Sequence, residues 1–162
     1  MPRYLLIPAA GLILFALQFS LIPLVISDPF KPNLILVAVV CMGLRAAAGW
    51  VIPLSWLLGM VQDAFSGIYP GLNAFTLLAI ALILRQTAEQ LYANRSNVLL
   101  FATAAATLFH ALSHALFLSL FSVAPGTWEN VVKTMVPQTL TNLFVASLIP
   151  LIFPGFPEDQ RS

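Results

Sequence analysis

The stretch GMVQDAFSGIYPGLN, residues Gly59 to Asn73, joins two apolar runs and decides how the chain is read. Its Asp63 is the only acid between Asp28 and Glu89, and it holds three of the chain's eight glycines, Gly59, Gly67 and Gly71. An ionised carboxylate at the end of a lipid-length helix must reach water, find a partner or take up a proton, because burying the charge in hydrocarbon is costly. The glycines and Pro70 then turn the chain so that a following helix can return. Pro70 sets φ near about −65° and Gly71 admits a positive φ, the pattern of a type II turn. Asn73 is expected to cap the second helix, with Ala74-Phe75-Thr76 as its first turn. Asp63 then stands at the C-terminal end of the first helix, where the helix dipole disfavours a negative charge. A basic partner, a proton or the turn's own N–H groups must compensate.

Outward from this turn the chain is apolar almost throughout. It has 162 residues, 60% hydrophobic and 8% charged, with a mean hydropathy of +0.95. A soluble domain carries about 25% charged residues, so these few cannot cover a water-facing surface. The composition predicts an all-α integral membrane protein. At roughly 20 residues per span the length accommodates about six helices and their turns, in one transmembrane domain over residues 1–162. The net charge of +1 gives no case for nucleic acid. The single Cys41 lies in an apolar run and reads as a small core residue.

The expected spans are about 4–26, 33–44, 47–62, 74–91, 98–122 and 131–153. The first is longer than a signal-peptide core and reads as uncleaved. Gln18 inside it reads as an interhelical hydrogen-bonding group. The second is only about 18 Å long as a helix, so it must be shielded by neighbours or thin the bilayer. Either it and the third are two short spans joined at Arg45, or they form one broken helix. Charge favours six spans. With the N-terminus inside, Arg3, Arg45, Arg85, Arg95 and Arg161 lie on the inner side and Lys31 and Lys133 on the outer. Both termini are then cytoplasmic. Arg85 and Glu89 share a helix face, Tyr92 is placed at the interface, and Pro137 is expected to kink the last span.

The candidates for chemistry are few. Asp63, with Gln62, is either a site for a cation, a proton or a partner's basic group, or a helix-end acid bonded to backbone amides of the Gly67–Asn73 turn. His110 and His114 are four apart and share a face. H-x-x-x-H can supply two metal ligands, but no acid or Cys is near in sequence. Polar helix packing is the better reading, with Gln138, Thr139, Thr141 and Asn142 as partners. No nucleophile–base–orienter set and no phosphate-binding glycine loop appears. The chain therefore reads as no enzyme, with no cofactor and no metal. A polar cavity formed by Asp63, Asn73, His110, His114 and Asn142 is the alternative, and it would make the chain a small-molecule-binding or transport subunit.

Pro32-Asn33-Leu34-Ile35-Leu36, then Gly59-x-x-x-Asp63, then Gly67-x-x-Pro70-Gly71-Leu72-Asn73-Ala74 resembles the rod shape-determining protein MreD family of bacterial inner-membrane proteins. Asn33 is a departure, since Asp is common there. The resemblance implies a non-enzymatic component of the cell-elongation machinery that makes peptidoglycan. Its implied partner is the bitopic protein MreC, and indirectly the filament protein MreB, the polymerase RodA and a penicillin-binding transpeptidase. It also implies a likeness in fold to the substrate-binding subunits of energy-coupling-factor transporters. The small-residue face Ala102, Ala104, Ala105 and Ala106, or the first span, is expected to meet the partner's helix.

Overall fold

In the computed structural model, residues 17–21, 30–45, 49–66, 69–88, 96–121 and 127–152 are described. Most of them are helical, and among them there is no strand. Leu17–Leu21 winds as a short π-helical turn. Five α-helices follow: α1 (Leu34–Arg45), α2 (Val51–Ser66), α3 (Leu72–Thr87), α4 (Ser96–Phe121) and α5 (Thr127–Ile152). Gly67, Glu89, Tyr92 and most of the first expected span lie outside the described residues.

On either side of Arg45 the described residues form two helices, α1 and α2. The short α1 is enclosed by its neighbours. Ile35, Leu36, Val37, Val39, Val40 and Leu44 are at most 5% exposed. Leu77, Ile80, Ala81 and Leu84 of α3, Leu99, Ala102 and Ala106 of α4, and Ala146 of α5 complete the core around it. A helix of about 18 Å that meets protein on its sides has no need to match the thickness of a bilayer.

The α2 and α3 helices form a tight pair across the opening turn. Gly59 is buried against the start of α3, where a methyl group on it would come within 2.6 Å of the Ala74 amide nitrogen and 2.8 Å of the Asn73 carbonyl oxygen. Glycine is required there by the close approach of two backbones. The longer α4 and α5, about 39 Å each at 1.5 Å per residue, pair through Asn142 and Thr107, equidistant from the connection after Phe121. The α5 helix continues through both Pro137 and Pro150.

Asn97–Phe121 is long and apolar enough to cross a membrane, with 25 residues at mean hydropathy 1.5, and only 28% of its apolar window is buried. Phe101, Leu112, Leu116 and Leu120 of α4 point away from the bundle, as do Trp56, Leu57 and Phe65 of α2 and Val136, Leu140 and Phe144 of α5. An outward apolar surface of this extent fits lipid and is rare on water-soluble monomers. The expectation that the alanine face of α4 meets a partner is corrected in part. Ala102 and Ala106 pack inside the bundle, where their small side chains let α4 come close to α1, and only Ala105 of that group is exposed.

Candidate functional site

Asp63 lies in the last turn of α2 and is 5% exposed. Its carboxylate closes over the start of α3. Oδ2 accepts from the amides of Gly71 at 2.9 Å and Ala74 at 3.1 Å. Oδ1 accepts from the amide of Asn73 at 2.9 Å and from its side-chain Nδ2 at 3.0 Å. The remaining amide of that first turn, Leu72, donates to the Tyr69 carbonyl at 3.4 Å, closing the Tyr69–Leu72 turn around Pro70. The four N–H groups that any helix start leaves without intrahelical partners are therefore all satisfied.

The backbone explains the geometry. Gly71 has φ 97° and ψ −14°, near the third position of a type II turn, and stands at the N-cap position just before α3. The positive end of the α3 dipole then meets the carboxylate, which offsets the unfavourable place of Asp63 at the end of α2. Of the three compensations open to the sequence, the described residues show the N–H groups of the following turn and helix. Asn73 is not the cap. It is the second residue of α3, and its side chain binds Asp63 instead. A carboxylate from the preceding helix reaches three amides, which the short Asn73 side chain cannot do from within the helix.

A second polar cluster holds the start of α1. The Asn33 Oδ1 accepts from the Leu36 amide at 3.0 Å, which makes Asn33 the N-cap. Its own amide donates to Asn142 Oδ1 at 2.7 Å, and the Leu34 amide donates to Gln18 Oε1 at 2.7 Å. Asn142 also donates from Nδ2 to Thr107 Oγ1 at 3.1 Å. Asn33 acts here through an oxygen acceptor, a role in which Asn and Asp are about equal.

The two histidines join the first cluster. His114 Nε2 lies 3.0 Å from Asn73 Oδ1, and its ring centroid is 4.3 Å from that of His110. Because Asn73 Nδ2 is turned to Asp63, its Oδ1 is the acceptor, so His114 carries its proton on Nε2. The expected partners on α5 are corrected. Thr139 and Thr141 bond back to the Met135 and Pro137 carbonyls, and Asn142 is held by Thr107 and Asn33. Thr139 and Thr141 are engaged within α5 and Asn142 on α1 and α4, and His114 bonds to α3 instead.

Asp63, Asn73, His114 and His110 are thus brought together, while Asn142 belongs to the neighbouring cluster, level with Thr107 and one turn from His110. Gln62 is half-buried beside Asp63. Among the described residues, its Oε1 and the Nδ1 of the buried His110 have no hydrogen-bond partner. A cleft of about 420 Å³ lies near this end of the bundle, but Tyr69, Phe75, Phe117 and Phe121 line it and the polar cluster does not. The Asn33 cap and Thr107 were missed in the sequence reading. The helix-start signal of Asn33 was there to be read, immediately before an apolar run, whereas Thr107 carried no signal.

No curated protein and no solved structure matches the chain. The family model described as rod shape-determining protein MreD matches residues 3–157, which include both polar clusters and all five α-helices. The chain belongs to the MreD family of rod shape-determining proteins.

Proposed function

We propose that the chain is a non-enzymatic, multi-pass component of the bacterial inner membrane that binds MreC. Through it the chain serves the assembly of MreB, RodA and a penicillin-binding transpeptidase that builds a rod-shaped wall. In this proposal residues 1–162 form one transmembrane domain with both termini cytoplasmic. Its fold is similar to that of the substrate-binding subunits of energy-coupling-factor transporters.

The observation that carries the reading is the use made of Asp63. The acid most suggestive of chemistry holds the start of α3 with four hydrogen bonds. A carboxylate so engaged acts as a brace and suits a scaffold more than a reacting site. Co-purification with MreC and rescue of rod shape after depletion test the proposal. Normal rods in depleted cells would count heavily against it. Reporter fusions at Arg95 and at the C-terminus test the topology, and labelling of either from the periplasm contradicts it.

A second reading has one observation in its favour. The unpartnered Nδ1 of His110 and Oε1 of Gln62 are groups of the kind that a small polar ligand satisfies. Mass spectrometry of the protein extracted with its native lipids tests it. A stoichiometric ligand lost in His110→Ala would favour a binding or transport subunit.

A further inference from the structure

The helices of the bundle end at different heights. The bond between His114 Nε2 and Asn73 Oδ1 sets the start of α3 beside His114, well before α4 ends at Phe121. Beyond that height α4 runs on for about 10 Å through Leu116, Leu120 and Phe121, each at least 52% exposed. Tyr69 spans the step, its hydroxyl donating to the Phe121 carbonyl at 3.5 Å. The Asn142–Thr107 bond sets α5 against α4 in the same way, and it places Lys133 within about 3 Å of the height of His114. Lys133 pairs with Glu129 at 2.6 Å, and both side chains are open to solvent. A charged pair so exposed belongs in water or among headgroups. The apolar layer therefore ends near this height on α5, and the α2–α3 turn stands at the same height.

The opposite boundary is marked by the exposed Arg85 and Gln86 of α3 and Asn97 of α4. Between the two, every exposed residue from Val51 to Phe65 of α2 and from Leu72 to Leu84 of α3 is apolar. The belt so bounded is about 24 Å tall on α2, from Trp50 to Ser66, and about 21 Å on α3, from Gly71 to Arg85. Along α4, from Asn97 to Phe121, it is about 36 Å. The hydrocarbon core of a bilayer is about 30 Å thick. A long helix meets that thickness by tilting. Beside a short one the bilayer thins, flanking side chains snorkel, or another protein covers it. Arg85 can snorkel at its end. The turn at the other end cannot, because its amides are tied to Asp63 and to the Tyr69 carbonyl. The exposed Trp56, Leu57 and Phe65 are bulky, unlike the small residues that let helices associate in lipid. Thinning is the response that remains.

We propose that the chain is a bilayer-thinning wedge. Along α2 and α3 the leaflet beside the α2–α3 turn is drawn about 6–9 Å toward the midplane, so this flank takes lipids with short acyl chains while α4 stands at full height. The proposal rests on the membrane placement in the proposed function and adds a lipid preference to it.

The test uses the full chain reconstituted in phosphatidylcholine vesicles, with brominated lipids of fourteen- or twenty-two-carbon chains as quenchers of tryptophan fluorescence. Trp50→Phe with Trp128→Phe leaves Trp56 as the only tryptophan, a reporter on α2. Trp56→Phe and Phe109→Trp, added to that pair, move the reporter to α4. At Trp56 the short lipid is expected to bind about two- to fivefold more strongly than the long one, and at position 109 the preference should vanish or reverse. Arg85→Leu with Gln86→Leu lengthens the α3 belt and should bring the ratio at Trp56 toward one. Equal ratios at the two reporters, or a ratio at Trp56 unchanged by the lengthened belt, overturn the wedge and leave the proposed function standing. So does a Trp56 that no lipid quenches, which means that protein covers α2. A chain that does not float with the vesicles overturns both.

Discussion

The amide of Asn33 donates to the side-chain oxygen of Asn142 at 2.7 Å, so the buried start of α1 is held by a residue 109 positions later in the chain. Asn142 serves two helices at once, since its Nδ2 also reaches Thr107 of α4. Replacing it with Leu leaves a buried backbone amide without an acceptor. The expected loss is about 1–3 kcal/mol of stability. A thermal melt of the detergent-solubilised protein reads it, and a melting temperature equal to wild type would show that the contact is dispensable.

Asn33 itself separates capping from charge. Asn33→Ala removes the acceptor for the Leu36 amide and should cost about 1 kcal/mol. Asn33→Asp keeps an acceptor at the positive end of α1 and should retain most of the stability. Comparing the two melts checks this. Equal losses would mean that the side-chain oxygen contributes nothing as a cap.

Asp63→Asn replaces one acceptor oxygen with a donor that faces backbone N–H groups. The protein should still insert, because the apolar helices are unchanged. Its stability should fall by about 1–3 kcal/mol through the unsatisfied amides of α3. Membrane abundance and rod-shape complementation, measured together, decide the role. Full complementation at wild-type abundance and melting temperature would remove Asp63 as a brace.

The two functional glycines fail for different reasons. Gly71→Val forces a β-branched residue into a left-handed backbone and should cost more than about 1 kcal/mol. Gly71→Asn should cost less, since Asn tolerates that region. Gly59→Ala meets the backbone of α3 and should cost about 1–3 kcal/mol as the helices separate. Gly49→Ala meets nothing within 4 Å and is the neutral control. Accumulation and melting of the four variants give the order. If Gly59→Ala behaves as Gly49→Ala does, the α2–α3 contact is looser than described.

Part of this was legible in the chain. Pro70-Gly71 carries its turn geometry in two residues, and the positive φ of Gly71 follows from local chemistry. The helices around it follow from long apolar runs. The capping of α3 was misassigned to Asn73 because local spacing favours a residue just before a helix, whereas Asp63 arrives from the preceding helix through the turn. The pairing of His114 with Asn73 spans 41 residues, and periodicity places each on a helix without saying which helices meet. Asn142 was singled out as polar, yet its partner depended on where α1 starts, which is a matter of three-dimensional register. The fate of the alanine face was likewise undecided by sequence, since small residues suit close packing inside a bundle and between proteins alike.

The enclosure of α1 has a consequence for biogenesis. Its twelve residues are too few to settle in a bilayer alone. The two amides that open it find their oxygens on Gln18, made earlier, and on Asn142, made near the end of synthesis. The helix therefore reaches its final environment only after α5 has left the ribosome. Until then α1 is a nascent segment in waiting, and a chain halted before Asn142 exposes to quality-control proteases the helix that the finished protein hides best.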